Sequence, residues 1–82
     1  MRSKYIVFEV HGSEVPVVFS DLFSHSDFSQ IGKPISAGFC QLGKDGFSCY
    51  GRSVTLKIDS RFEKDSSVLN KNIIGSFNDE FN

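Results

Sequence analysis

Ile35-Ser-Ala-Gly-Phe-Cys-Gln-Leu-Gly-Lys-Asp-Gly-Phe-Ser-Cys-Tyr-Gly51 reads as two strands folded about a tight turn. Ile35, Ala37 and Phe39 alternate with Ser36, Gly38 and Cys40, the period of an extended chain with two faces. Lys44, Asp45 and Gly46 are turn formers, and Phe47 to Arg52 supplies the return. Two registers are open. A two-residue turn at Lys44-Asp45 sets Cys40 opposite Cys49. A three-residue turn that includes Gly46 sets Cys40 opposite Tyr50 and Cys49 opposite Gln41. The Asp-Gly pair favours the second, because glycine takes positive φ without steric cost. The small residues Ser36, Ala37 and Gly38 leave room for a large neighbour, a ligand or another backbone.

Working outward, Lys4 to Val10 is rich in β-branched and aromatic residues and reads as a strand, with Ile6, Phe8 and Val10 on one face and Tyr5, Val7 and Glu9 on the other. His11 to Glu14 is a turn and Val15 to Phe19 a second strand. Pro16 lacks an N–H, so that strand belongs at an edge. Residues 20–33 read as a loop with one or two helical turns, capped by Ser20 or Asp21 and pinned by Leu22, Phe23, Phe28 and Ile31. Ser53 to Asp59 alternates cleanly and reads as a half-buried strand with Val54, Leu56 and Ile58 inward. Gly51 is a bulge candidate before it. Asp65 is placed to cap a short helix running to about Asn72, with Val68, Leu69 and Ile73 inward and a stop at Gly75. The expected class is α+β: a small antiparallel β-sheet of about five strands, two hairpins plus a further strand, with a short C-terminal helix. Residues 1–75 form a single domain and residues 76–82 a C-terminal tail.

The chain has 82 residues, enough for one modest core that buries roughly 60–65% of the unfolded surface. Nine phenylalanines and no tryptophan make that core phenylalanine-rich. The formal net charge is −1, which argues against a general nucleic-acid binder. The apolar run from Tyr5 is broken at Glu9, too short for a secretory leader, and no stretch is long enough to span a bilayer. A cytoplasmic location is expected, with no membrane partner. Two cysteines do not make a disulfide scaffold, and in a reducing compartment both are expected as packed thiols.

Catalytic signatures are absent: there is no phosphate-cradling glycine loop, nucleophile elbow or Cys-x-x-Cys. No metal or cofactor is expected. His25 lies in Ser24-His25-Ser26-Asp27, where Asp27 could orient it, but as a cap or surface residue it needs no catalytic role. Binding is the better reading. Lys33, Ser36, Tyr50, Arg52, Ser53 and Arg61 lie on or beside the central strands. Tyr50 and Arg52, two apart, share a side on an extended strand, and an aromatic plane beside a guanidinium can stack a base and hold a phosphate. The candidate ligand-binding set is His25, Lys33, Ser36, Tyr50, Arg52 and Arg61. Phe77 and Phe81, at i and i+4 among acidic residues, are candidate partner-binding residues. Sheet edges offer self-association, so a homo-oligomer is expected.

Lys4-Tyr-Ile-Val-Phe-Glu-Val10, His25-Ser-Asp27, Gly32-Lys-Pro-Ile-Ser-Ala-Gly-Phe39 and Cys49-Tyr-Gly-Arg-Ser-Val-Thr-Leu-Lys-Ile-Asp-Ser-Arg61 resemble a group of small uncharacterised accessory proteins of tailed bacteriophages and prophages. The resemblance covers roughly residues 4–74, and its motifs name no chemistry. In that group a proline tends to follow the serine-arginine pair; here Phe62 stands there. The resemblance implies a phage protein acting in the bacterial host cytosol on a host component, a host protein or a small anionic nucleotide signal, in opposition to host defence. The alternatives are a protein–protein module using sheet edges and the tail, and a weak single-strand nucleic-acid binder.

Overall fold

Ser3–Val10 (β1) turns back through His11-Gly12 into Ser13–Ser20 (β2). Both turn residues take positive φ, 51° and 81°, the mirror-image turn that suits the twist of a hairpin. A computed structural model describes residues 2–75; the expected tail and its Phe77 and Phe81 lie outside the described residues. Lys33–Gly43 (β3) and Gly46–Tyr50 (β4) form the second hairpin, and the sheet is antiparallel in the order β2-β1-β3-β4. Arg52–Ser53 (β5) and Ile58–Asp59 (β6) make a separate two-stranded ribbon. Glu63–Leu69 (α1) is followed by a π-helical turn, Asn70–Ile74. The α+β class stands, with four strands and a small ribbon in place of one sheet of about five.

β1 is central, so both its faces are buried. Tyr5 and Val7 join Cys40, Cys49 and Leu69, with Val68 and Ile73 packed against them from the helical segment. Ile6 and Phe8 join Phe19 and Ala37 on the other face, under Phe28 and Leu56. β2 lies at an edge, as Pro16 requires. The pairing of β1 with β3 shifts at Val7/Phe8, leaving Ile35 between Pro34 and Ser36 without a partner. This bulge turns Ile35 toward the Tyr5–Val7 cluster, away from the face expected from simple alternation with Ala37.

Four further expectations are corrected. Gly46 does take positive φ (106°), but the register is that of the two-residue turn, with Cys40 opposite Cys49. A slip by one residue would turn Phe47 and Cys49 away from the helix they pack against. Ser53 to Asp59 is not a continuous strand. Ser53 Oγ accepts the Leu56 N–H at 3.1 Å, the chain reverses through residues 54–57, and Val54 is 75% exposed. The helical turn in the long loop, His25–Phe28, is capped by Ser24, with Asp27 accepting the Ser24 N–H. It is anchored by buried His25 and by Phe28, whereas Leu22 is 93% exposed and Ile31 50%. Finally, Asp65 is no cap: it lies within α1, fully buried.

Candidate functional site

The fold gathers polar and aromatic side chains into two clusters, one on each face of the sheet. On the helix face, Asp65 Oδ1 accepts from Ser36 Oγ at 2.8 Å and Arg61 Nε at 2.7 Å, while Oδ2 accepts the Arg61 N–H at 2.8 Å and the Tyr5 hydroxyl. Arg61 also presents both terminal nitrogens to Glu14, at 2.7 and 3.3 Å. Paired fork to fork, Arg61 holds the Glu14 carboxyl below the ordinary carboxylate range. Burial, with the Asp65 hydrogen bond, pushes the Tyr5 hydroxyl far up, so it stays a donor. Ser36 and Arg61, two residues expected to hold a ligand, therefore meet here. Every lone pair of Asp65 is spent within the cluster, and Arg61 engages it through Nε and both terminal nitrogens, which ties β2, β3 and α1 together.

The helix entry next to this cluster is bent. Phe62 has φ 54° and ψ −111°, a conformation costly for any L residue, on the order of 1–3 kcal/mol. It is held by Phe62 N–H to Ser60 Oγ at 2.9 Å and Arg61 N–H to Asp65. Proline, locked near φ −65°, could not take this conformation.

On the opposite face, register places Phe39 beside Tyr50, and their rings stack at 6.0 Å with 29° between planes. The Arg2 guanidinium lies 4.2 Å over the Phe39 ring. Phe39 and Tyr50 are half-buried and Arg2 is exposed. His25 meets Phe39 edge-on at 6.0 Å from below. Its Nε2 is 2.8 Å from the Gly38 carbonyl oxygen, which can only accept, so Nε2 carries the proton. Burial lowers the His25 pKa and keeps the ring neutral. His25 is therefore a strut under the aromatic pair; Asp27 is engaged with Ser24 instead.

Arg52 and Lys33 sit elsewhere. Gly51, at φ 78°, breaks the extended chain after Tyr50, so strand alternation does not carry on to Arg52, which opens β5 and pairs with Asp59 at 3.2 Å. Lys33 is exposed at the start of β3, opposite Glu9. Arg2 was not among the expected site residues. Its partner Phe39 is reached only through β1–β3 pairing, which no local pattern announces. Gly38 gives way to backbone: a Cβ there would meet the Tyr50 carbonyl oxygen. A shallow groove of about 450 Å³ lies between Ser13–Glu14 and the helical segment, but Glu14 on its rim offsets Lys64 and Lys71. Among the described residues no three His, Cys, Asp or Glu side chains converge as a metal site. No helix among the described residues is long and apolar enough to cross a membrane.

No protein-family model, no curated protein and no solved structure matches this chain.

Proposed function

We propose that this chain is a non-enzymatic binding protein of phage origin that acts on a host component, sequestering a small anionic nucleotide signal on the face formed by Arg2, Phe39 and Tyr50. The observation that carries the reading is the stack itself: a guanidinium over one ring and a second, partly exposed ring beside it. A base adds to such a stack through its π face, and the cation holds the phosphate. The Arg2–Asp21 ion pair at 3.0 Å is exposed on both sides, so exchanging it for a phosphate costs little. Arg61, closed on two carboxylates, and Arg52, paired with Asp59, take no part in this version.

Isothermal titration with cyclic nucleotides and ADP-ribose derivatives tests it. A saturable heat is expected with one class, weakened about tenfold or more by Tyr50→Ala and by Arg2→Ala. No heat with any of them, or unchanged affinity in Tyr50→Ala, rejects the reading.

A second reading, a protein–protein module, is favoured by the unequal sheet edges. On β4 the Phe47 and Cys49 N–H groups are taken by Asn70 Oδ1 at 2.7 Å and Ser66 Oγ at 2.9 Å. Among the described residues, no side chain covers β2 in this way near Val18. The two-residue turn makes Val10–Ser13 a hydrogen-bonded pair, so alternate residues Pro16 and Val18 face outward. A strand from a host protein or from a second copy can pair there. Native mass spectrometry is expected to show an oligomer that Val18→Pro, checked for folding, dissociates. Removal of residues 76–82 separates the edge from the tail as the contact.

A further inference from the structure

We propose that Cys40 and Cys49 form a reversible cross-strand disulfide, making the β3–β4 hairpin a site of thiol oxidation. The two residues are direct partners in the register, and both are free and buried. The Cys49 N–H is bonded to Ser66 Oγ, so it does not bond back to Cys40, and the pair is of the non-hydrogen-bonded kind. Such pairs bring Cα atoms to about 4.5 Å, within the roughly 4.4–6.8 Å that a disulfide spans. Both side chains lie on the helix face, in one cluster with Tyr5, Val7 and Leu69, so neither strand must turn over. The alternative register would have put Cys40 against Tyr50 and left no such pair.

The two thiols are not equivalent. Burial pushes the Cys40 thiol up to about 12. Burial raises the Cys49 thiol as well, so access rather than acidity distinguishes the two. Cys49 is 6% exposed and Cys40 fully enclosed. Cys49 is thus the attacking sulfur and Cys40 the resolving one. With hydrogen peroxide as oxidant, the Cys49 thiolate attacks one peroxide oxygen, the O–O bond breaks, and the leaving oxygen departs as water after taking a proton, leaving a sulfenic acid. Cys40 then attacks Cys49 Sγ; the S–O bond breaks, and the hydroxide leaves as water with the Cys40 proton. Two thiols and one peroxide become one disulfide and two waters. The raised pKa values make the reaction slow relative to an exposed thiol. The bond ties the middle of β4 to β3, one residue before Tyr50 and beside the two amides that seat the helical segment.

The test uses the reduced full chain exposed to hydrogen peroxide without denaturant. Intact-mass measurement is expected to show a monomer lighter by two hydrogens, restored by dithiothreitol, with a raised thermal midpoint. Trypsin cuts after Lys44, between the cysteines, so without reduction the two flanking peptides should stay linked. Oxygen addition without linkage, linkage only between chains, or oxidation seen only in denaturant would overturn the proposal. Cys40→Ala should convert the product to oxygen-added Cys49; should that variant misfold, the wild-type mass and peptide map still decide. None of these readouts depends on nucleotide binding.

Discussion

Tyr5 donates its hydroxyl to Asp65, sixty positions further along the chain, across the seam between β1 and α1. The same hydroxyl lies 2.7 Å from Ser60 Oγ, and Asp65 in turn holds Ser36 and Arg61. One buried carboxylate therefore joins the first strand, the third strand and the helix entry. Tyr5→Phe removes a charge-assisted donor and leaves the rest of the cluster in place, at an expected cost of about 1.5–3 kcal/mol. Asp65→Ala strands Arg61 beside Glu14 alone and should cost more, on the order of 3 kcal/mol or above. Urea denaturation with an unchanged slope is the measurement; equal stability of Tyr5→Phe and wild type would contradict the account.

The cover on β4 can be removed without touching the sheet ladder. Asn70→Ala and Ser66→Ala each delete the acceptor of one edge amide and should each cost about 1 kcal/mol. Together they expose an edge strand, and concentration-dependent association is expected by size-exclusion chromatography. A double variant that elutes like wild type at every concentration would show that something else shields β4.

Three glycines should rank by what surrounds them. At Gly12, φ is 81° and nothing lies within 4 Å of an added Cβ, so Gly12→Ala carries conformational strain alone, about 1 kcal/mol. At Gly46, φ is 106° and the Cβ would lie 2.5 Å from Asn70 Oδ1, so strain and loss of an edge cover add. At Gly38 the obstacle is the Tyr50 backbone, which cannot swing aside, and Gly38→Ala should be the most damaging. Thermal midpoints of the three variants test the order Gly12, Gly46, Gly38.

Acid should weaken the fold in two stages. His25 has a pKa below its ordinary 6.5 because it is buried. As pH falls below 6.5 the unfolded chain takes up a proton that the folded one still refuses, so stability drops between that pH and the lower folded value. Glu14 is held below its ordinary 4.5 by Arg61. Its contribution is whole above 4.5 and is lost as pH falls through the folded value. His25→Gln, which keeps a donor for the Gly38 carbonyl, should remove the first stage and keep the second. Urea midpoints across this pH range, for both proteins, provide the check.

What could be read along the chain was whatever neighbouring residues settle among themselves. Alternation on both arms, with His11-Gly12 between them, closes the first hairpin, and the missing N–H of Pro16 sends β2 to an edge. Val68, Leu69 and Ile73 mark the inner side of the helical segment by spacing alone. The stretch from Ser53 to Asp59 shows where that reasoning fails. Its period of two is compatible with a strand, but the Ser53 hydroxyl competes for the Leu56 amide and folds the segment into a ribbon.

Tertiary structure decided everything that depends on β1 entering between β2 and β3. That insertion brings Tyr5 and Ser36 to Asp65, which local sequence had marked as a cap, and brings Arg2 to Phe39, which no local signal had linked to a site. It is also the packing of Phe47 and Cys49 under the helix that selected the two-residue register and set Cys40 against Cys49. Turn residues alone favoured the other register, because glycine takes positive φ without cost, but Gly46 takes positive φ in the observed register as well. Local preferences are worth a fraction of a kcal/mol per residue, whereas burying one face of a strand against a helix is worth several, so the long-range contacts chose.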